Sequence, residues 1–478
     1  MKALVYLSHR YLGLLLAPMV LLWSFSGLVL MYVPFPELTE DKRVLLLPPL
    51  KLEQCCDKEF YHSIIPANVK AVSLETLNRQ AVIKVTDAEN NLQIYSLNSL
   101  ALFPDIDQTL ARSISQIASD LSIKQIDLIE MDQWTIYSTY NKHRPLYRVS
   151  FNDDEATELY VSSKTGEVVQ LTTRFQRNWS WVGTVAHWLY PTFLKQYPKF
   201  WYGLFVGLAL LSLLLVLTGV WIGLKQLKNF SSPYKGINLI HHWAGVVVSA
   251  VLCAFLFSGI LLMNPGGFIK YERINTDEAF GKKIQRLDVV NSLMTLGQKP
   301  ELFSDNRIVN ITMSAWNNKP YWFVTSSNGD VSHYDERFVI AKIEQAQLEE
   351  IGIKLAEGDD AEEELTIKQY LMTREDSYYY SHKRQVELPV WKIERDSSNS
   401  EQIFYVSPTT GKLLKTVDSS TRINRWLFAA LHHWDFSQTL RQRPLRDFVL
   451  VSIMLLLILF SLTGLYLSAK RIKQSIKS

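Results

Sequence analysis

Four stretches of the chain carry no charged side chain, and each is long enough to cross the roughly 30 Å hydrocarbon core of a bilayer. These stretches are Tyr11–Val33, Trp201–Leu224, Trp243–Asn264 and Phe448–Ala469. The long polar segments between them have the composition of ordinary globular domains. The sequence therefore predicts a membrane α-helical protein with four transmembrane helices and two extramembrane regions.

These features divide the 478-residue chain into a series of predicted segments. They are a first transmembrane helix (1–33), a polar region with an interfacial segment (34–198), a second transmembrane helix (199–224), a short loop (225–241), a third transmembrane helix (242–264), a second polar region with an interfacial segment (265–446), and a fourth transmembrane helix with a basic tail (447–478). The first apolar stretch is long and has no A-x-A-like cleavage site before Pro34. We therefore expect it to be a retained helix rather than a cleaved signal peptide.

Basic residues flank the apolar stretches on one predicted side of the membrane. They are Lys2 and Arg10 at the N-terminus, Lys225, Lys228 and Lys235 in the short loop, and Lys470, Arg471, Lys473 and Lys477 in the tail. Because short cytoplasmic segments are enriched in Lys and Arg, we expect both termini in the cytoplasm and both polar regions in the periplasm of a bacterial inner-membrane protein. The net charge of +3 gives no indication of a nucleic-acid partner.

The chain repeats itself once. With a shift of 232 residues the first apolar stretch aligns with the third without a gap, so that His9 matches His241 and Phe25-Ser26-Gly27 matches Phe257-Ser258-Gly259. The second and fourth stretches share Leu217-Thr218-Gly219 and Leu462-Thr463-Gly464. Both halves cross the membrane in the same direction, so they are parallel repeats, and a pseudo-twofold axis is expected along the membrane normal.

The polar regions repeat as well. Tyr160-Val-Ser-Ser-Lys-Thr-Gly166 matches Tyr405-Val-Ser-Pro-Thr-Thr-Gly411, and each motif is typical of a strand that enters a glycine-containing turn. A helical stretch precedes each motif, at Ile106–Leu121 in the first half and at Ala341–Leu355 in the second. This pattern predicts small α+β modules, one or two in each region.

Histidines occupy the matching membrane boundaries. His9 and His241 begin the first and third helices, His187 precedes the second, and the doublet His432-His433 precedes the fourth. An offset of 246 residues, set by Leu-x-Gln-x-Pro in both halves, pairs His187 with His433, whereas an offset of 245, set by Thr-Gly, pairs it with His432. We favour His433, because this choice also keeps the following tryptophan in register.

The two histidine pairs are expected near opposite faces of the membrane. His9 and Met31 are 22 residues apart, which is about 33 Å of helix. His9 with His241, and His187 with His433, are therefore candidates to hold one haem iron each, since facing helices of a bundle commonly supply paired imidazole ligands. Alternatively, each histidine is an ordinary interfacial residue that is hydrogen bonded to water.

Further residues are candidates near these sites. His242 and His432 stand beside the proposed ligands and could take over their roles. Haem propionates would need cations, for which Arg10 is the inner candidate and Arg177, Arg425 and Arg441 are outer ones. The other histidines, His62, His143, His333 and His382, are expected to be solvated, and Met31 and Met263 are expected to pack rather than to bind metal. The neighbouring Cys55 and Cys56 could form a disulfide with each other or with another chain in an oxidising compartment, or they are two ordinary unpaired cysteines.

Taken together, these motifs resemble the PepSY-associated transmembrane family. The resemblance rests on His9-Arg-Tyr-Leu-Gly13 and His241-His-Trp-Ala-Gly245, on the Phe-Ser-Gly and Leu-Thr-Gly repeats, and on both Tyr-Val-Ser-x-x-Thr-Gly turns, so it covers nearly the whole chain. It implies two periplasmic PepSY-like α+β modules. The family includes inner-membrane ferric-siderophore reductases that hold two b-type haems. By motif, the haem ligands here would be His9, His187, His241 and His433.

The resemblance also implies a function in iron uptake. A haem-dependent oxidoreductase of this type would pass electrons from the inner site to the outer site, and then to a ferric siderophore or another ferric chelate. No nucleotide-binding glycine motif is evident, so the electron donor is expected to be separate, either a quinol or a cytoplasmic reductant. One alternative is a non-catalytic PepSY membrane protein that binds peptides or regulates a protease. A chelate transporter is disfavoured, because the four stretches contain no broken helix or acidic residue.

Overall fold

The computed structural model of the chain describes residues 2–52, 57–270, 279–281, 284–303, 307–316, 318–341, 343–357, 366–382, 385–396 and 401–477. Cys55 and Cys56, the two candidates for a disulfide, lie outside these residues. Cys253 is a half-buried free cysteine.

The described ranges contain four long α-helices and eleven shorter ones. In chain order they are α1 (Lys2–Leu30), α2 (Glu40–Val44), α3 (Lys58–Ile64), α4 (Gln108–Ala118), α5 (Arg174–Ser180), α6 (Ala186–Trp188), α7 (Thr192–Lys195), α8 (Pro198–Gln226), α9 (Ile237–Leu262), α10 (Arg286–Leu296), α11 (Gln345–Glu357), α12 (Ser419–Ile423), α13 (Leu431–His433), α14 (Gln438–Arg441) and α15 (Leu445–Lys477). The predicted helical stretches in the polar regions are confirmed as α4 and α11.

The four helices α1, α8, α9 and α15 are long and apolar enough to cross a membrane, which confirms the four predicted stretches. In the bundle α1 packs against α8 and α15, and α9 packs against the same two helices. Aliphatic side chains from all four fill the interior, including Val20, Val216, Leu252 and Leu457. The first helix of each half, α1 or α9, therefore lies between α8 and α15, which are the last helices of the two halves.

The strands form three antiparallel sheets. In chain order they are β1 (Val69–Leu77), β2 (Gln80–Asp87), β3 (Leu92–Ser96), β4 (Ala101–Leu102), β5 (Ile123–Ile129), β6 (Leu146–Phe151), β7 (Glu158–Ser162), β8 (Val168–Thr172), β9 (Ile308–Trp316), β10 (Lys319–Ser326), β11 (Val331–Tyr334), β12 (Thr366–Met372), β13 (Val390–Asp396), β14 (Glu401–Val406) and β15 (Leu413–Val417). The first half forms the four-stranded sheet β5-β6-β7-β8, and the second half forms its counterpart β12-β13-β14-β15.

The third sheet is shared by the two halves. Its seven strands have the order β11-β10-β9-β1-β2-β3-β4, so strands from both polar regions meet at the β1–β9 pair. Ser73 lies opposite Thr312, and these residues are each the fifth of their strand. Equivalent residues that pair with one another mark a local twofold axis, in agreement with the parallel duplication. This joint sheet was not predicted, because the repeated motifs indicate modules within each polar region and do not show that the two regions touch.

The repeated Tyr-Val-Ser-x-x-Thr-Gly motif connects each four-stranded sheet to the shared one. Gly166 and Gly411 both have φ of +66°, a left-handed backbone conformation that favours glycine. A Cβ on Gly166 would lie 2.9 Å from the side chain of Leu77, at the end of β1, and a Cβ on Gly411 would collide with Trp316, at the end of β9. The glycines are thus required both by the turn and by the close packing against the shared sheet.

Candidate functional site

Two histidines from opposite halves meet at one end of the bundle. The rings of His187 and His432 have centroids 6.1 Å apart and are inclined at 81°. Each ring faces a glycine of a long helix. A Cβ on Gly27 would lie 3.5 Å from Cε1 of His187, and one on Gly259 would lie 3.9 Å from Cε1 of His432. The glycines of the Phe-Ser-Gly repeats therefore leave room for these rings.

The serines of the same repeats orient the two rings. The hydroxyl of Ser26 on α1 lies 3.1 Å from Nδ1 of His187, and the hydroxyl of Ser258 on α9 lies 3.0 Å from Nδ1 of His432. With Nδ1 engaged, Nε2 is the ring nitrogen that remains for a further bond. This is the arrangement that orients a metal-binding histidine, whose other nitrogen is usually hydrogen bonded. The sequence analysis noted the repeats but assigned no role to these serines.

The preferred register between His187 and His433 is wrong, because the structure matches His187 with His432. The N-cap residues Thr173 and Asp418, which begin the two segments, are 245 residues apart, as are His187 and His432. His433 points elsewhere and contacts the rings of Phe428 and His382 at centroid distances of 5.3 and 6.2 Å. The second half has one extra residue after Trp434, so the Leu-x-Gln-x-Pro motif beyond it gave a misleading offset.

An unusual backbone path presents both histidines. A π-helical segment precedes each one, at Trp181–Val185 and at Asn424–Ala430. The helix then ends at a non-glycine residue with a left-handed backbone, Leu189 with φ of 49° and Trp434 with φ of 55°. Segments of π-helix and left-handed bulky residues are both uncommon, and both occur preferentially at functional sites. Because both features occur at equivalent positions in the two halves, they belong to the duplicated unit that positions His187 and His432.

The inner histidines are seated on the Leu-Thr-Gly repeats. Nδ1 of His9 lies 3.1 Å from the carbonyl oxygen of Leu215 and 3.4 Å from the hydroxyl of Thr218. Nδ1 of His241 lies 2.8 Å from the hydroxyl of Thr463. The adjacent glycines make space for both rings, because a Cβ on Gly219 would lie 2.7 Å from His9 and one on Gly464 would lie 3.3 Å from His241.

The inner and outer pairs differ in one respect. In the described part of the chain His9 and His241 make no ring contact with each other, whereas Phe460 stacks on His241 with a centroid distance of 4.8 Å. Along α1, His9 and the serine that holds His187 are 17 residues apart, which corresponds to about 25 Å of helix. The same spacing separates His241 from Ser258 on α9. The structure thus contains two histidine levels, one toward each end of the bundle.

Other candidate residues near the inner level do not face a common site. Nδ1 of His242 lies 2.7 Å from the hydroxyl of Ser232, and its Nε2 lies 2.9 Å from the carbonyl oxygen of Gly223. Both nitrogens are therefore occupied, which argues against a ligand role. Arg10 is exposed and lies over the ring of Tyr11. Met263, by contrast, lies at the end of α9 opposite to His241 and packs in an apolar cluster there.

Two histidines that were expected to be solvated are not. Nε2 of His382 lies 3.0 Å from a carboxylate oxygen of Asp435, which is buried and also receives hydrogen bonds from Arg425 and Arg441. Burial raises the pKa of Asp435, but hydrogen bonds from His382, Tyr380 and Arg441 lower it by more. The pKa of Asp435 therefore lies below its usual range.

His143 is buried in the first half, 3.7 Å from Glu167, and burial lowers its pKa to about 4. Its neighbours form an ion-pair network in which Lys84 lies 2.6 Å from both Glu75 and Glu167. His333 is half-buried against Phe323, and His62 is half-buried. The outer cation candidate Arg177 is bound to its own module, where it pairs with Glu158 at 3.5 Å.

Comparison with known proteins leaves the assignment to these geometric features. No family model matches the chain, and no curated protein sequence matches it. Among the described residues, no group of three or more His, Cys, Asp or Glu side chains could hold a metal ion by itself. The distinguishing feature of the molecule is therefore its two levels of histidines, each made from both halves.

Proposed function

We propose that this protein spans the bacterial inner membrane, holds two haem b groups, and passes electrons across the membrane to a ferric siderophore or another ferric chelate. The observation that carries the proposal is the outer pair, in which His187 and His432 face each other and a serine holds Nδ1 of each. An equivalent hydrogen-bonding pattern at His9 and His241 supports a second site at the other end of the bundle.

The donor set fits haem better than it fits a bare metal ion. A haem would bring four nitrogens of its own to its iron, so the protein would need to supply only the remaining ligands. Two imidazoles are present at each level, and each has one nitrogen fixed by a hydroxyl or a carbonyl. His187 and His432, whose ring centroids are 6.1 Å apart, would hold the outer haem.

The residues of the chain have separate roles at these sites. The histidines would hold the haems, and the serines and threonines orient the histidine rings. Gly27, Gly219, Gly259 and Gly464 keep side chains away from the imidazoles. Bound haem would supply a centre that accepts and releases one electron. The apolar core of Val20, Leu252 and their neighbours lies between the levels and excludes water and ions.

The redox balance requires one electron for each iron released. An external donor, a quinol or a cytoplasmic reductant, loses the electron, and chelated Fe(III) gains it to become Fe(II). Fe(II) binds hard oxygen ligands less tightly than Fe(III), so the chelate can then release its iron. The basic residues of the N-terminus, the short loop and the tail favour a cytoplasmic position for both termini and for the inner pair. The resemblance to the PepSY-associated family supports a periplasmic position for the three sheets.

A visible absorption spectrum of the purified full-length protein tests the proposal. We expect a Soret band, with sharp α and β bands after dithionite, and two haems for each chain. His9→Ala and His187→Ala should each remove one haem and leave the other. A colourless protein from haem-replete cells would refute the proposal and favour the non-catalytic peptide-binding alternative. Reduction of ferric chelate by the dithionite-reduced protein tests the acceptor separately.

A further inference from the structure

Positively charged side chains gather around two tyrosines near the outer histidines. Arg441 lies over the ring of Tyr380 with its guanidinium carbon 3.5 Å from the centroid, and Arg425 and Lys415 lie over the same ring at 5.2 and 5.8 Å. Arg422 lies over the ring of Tyr378 at 5.1 Å. We call Lys415, Arg422, Arg425 and Arg441, with these two tyrosines, the outer cation cluster.

The outer cation cluster has four cations, and its local carboxylates are Asp435, Glu401 and Asp376, the last of which is paired with Lys392. Asp435 is the partner of Arg425 and Arg441, at 3.4 and 2.9 Å, and Glu401 is the partner of Arg422 at 2.8 Å. Lys415 donates a hydrogen bond to the carbonyl oxygen of Tyr378. The side chain of Arg425 is only 5% exposed, and its Nη1 has no hydrogen-bond partner within the described residues. A buried, incompletely paired guanidinium is suited to a negatively charged ligand.

A continuous line of rings connects this cluster to the outer histidine pair. The ring of Tyr380 lies 5.3 Å from that of His382, and His382 lies 6.2 Å from His433. His433 is in turn 5.7 Å from His432, which faces His187. The cluster is therefore three ring contacts away from the outer pair, and its tyrosines and Arg422 remain partly exposed.

The first half of the duplication keeps a cation at two of the four positions, with Arg177 matching Arg422 and Lys195 matching Arg441, but it lacks the rest of the cluster. Tyr160 donates a hydrogen bond to Asp132 as Tyr405 does to Asp376, and these bonds fix the correspondence between the halves. In that register the first-half residues at the positions of Tyr378, Tyr380, Lys415, Arg425, His433 and Asp435 are Trp134, Ile136, Gln170, Ser180, Trp188 and Tyr190. Most of these belong to apolar clusters. Only the second half thus combines cations, tyrosines and a ring path at this position.

We infer that the outer cation cluster is the docking site of a negatively charged ferric chelate with aromatic oxygen donors, such as a catecholate. This inference rests on the proposed function. The guanidinium and ammonium groups attract the chelate's charge, and the partly exposed tyrosines add aromatic contacts to its rings. One electron then leaves the outer centre by way of the His433 and His382 edge, and the docked Fe(III) becomes Fe(II). Electron exit is accordingly on the second half alone.

Binding of chelates that cannot be reduced tests the docking site separately from electron transfer. Gallium(III) tris-catecholate is anionic, and gallium(III) tris-benzohydroxamate is aromatic but uncharged. Equilibrium dialysis with full-length protein in detergent measures the affinity for both. Lys415→Gln, which introduces the first-half residue, and Arg422→Gln should each weaken binding of the catecholate complex about two- to fivefold, with a larger effect for the double variant. The uncharged complex should bind weakly to every variant.

The matched control is Arg177→Gln, because Arg177 occupies the position of Arg422 in the first half. It should leave catecholate affinity unchanged. Equal loss in Arg177→Gln, unchanged affinity in the double variant, or equal affinity for the uncharged complex would each overturn the inference. Loss of haem from the double variant would also overturn it, since the cations would then serve haem propionates. Failure of the proposed function has a different signature, since a protein without haem can still bind the gallium complex.

Discussion

The imidazole rings of His187 and His432 face each other across the two halves of the molecule, with their centroids 6.1 Å apart. Each is reached by a serine from the first helix of its own half, at 3.1 Å for Ser26 and 3.0 Å for Ser258. The contact is thus built from four segments that are distant in sequence. The hypothesis that this pair binds haem therefore involves four residues, two histidines and two serines, and each of them can be tested separately.

The first prediction concerns the histidine doublet. His432→Ala should remove the outer haem and reduce the haem content from two per chain to one, because His432 faces His187. His433→Ala should retain both haems, since its ring contacts Phe428 and His382 instead. The pyridine haemochrome assay measures both contents. Retention of two haems in His432→Ala together with loss of one in His433→Ala would show that the ligand is His433.

The second prediction concerns the serines that orient the outer pair. Ser26→Ala and Ser258→Ala should lower haem affinity at the outer site by about 10- to 100-fold, the usual cost of losing a hydrogen bond to a metal-binding histidine. Haem titration of the apoprotein gives this affinity. Ser24→Ala is the control, because Ser24 is buried on the same helix but bonds only to the carbonyl oxygen of Val20. An equal effect in the control would contradict an orienting role.

The third prediction concerns the space beside His9. Gly219→Ala should displace the His9 ring, because the added Cβ would lie 2.7 Å from Cε1. We expect about 1–3 kcal/mol of destabilisation, as for other overpacked sites, and loss of the inner haem. The control is Gly207→Ala on the same helix, where a Cβ would meet nothing within 4 Å. Thermal melts and haem content of both variants distinguish the outcomes, and indistinguishable variants would refute the packing argument.

The fourth prediction concerns how the stability of the first polar region, which contains His143, depends on pH. Burial lowers the pKa of His143 to about 4 from its ordinary value of 6.5, so the unfolded chain binds a proton at a higher pH than the folded one does. The stability linked to His143 is therefore complete above about pH 6.5 and is lost as the pH falls toward about 4. Thermal melts across this window should show a smaller decline for His143→Gln than for the unchanged protein. Parallel declines would exclude His143 as the cause.

Much of the architecture could be predicted from local patterns. Charge-free stretches predicted the four long helices, and turn motifs with glycine predicted strands next to Gly166 and Gly411, since these signals depend on neighbouring residues only. The ligand register could not be decided in this way. Two anchors differed by one residue, and only the backbone shows that the extra residue follows Trp434. Keeping tryptophans in register was misleading, because Trp434 occupies the position of Leu189, not that of Trp188.

Contacts between residues that are distant in sequence could not be predicted, for a different reason. The pairing of β1 with β9 joins residues more than two hundred positions apart, and a repeat shows that two segments are alike without showing that they touch. The burial of His382 and His143 likewise depends on partners, Asp435 and Glu167, that approach only in the folded chain. Isolated histidines in polar regions offered no periodicity from which such partners could be inferred.

The shared seven-stranded sheet also imposes an order on biosynthesis. β1 is synthesised first. The strand that pairs with its free edge, β9, begins 239 residues after the start of β1, at Ile308. At a synthesis rate of about 5–20 residues per second, that edge waits roughly 10–50 s for its partner, and two further helices must be inserted in the interval. An uncovered strand edge is prone to pair with other chains. The nascent first half is therefore expected to need a chaperone, and truncation before β9 should yield an aggregating fragment.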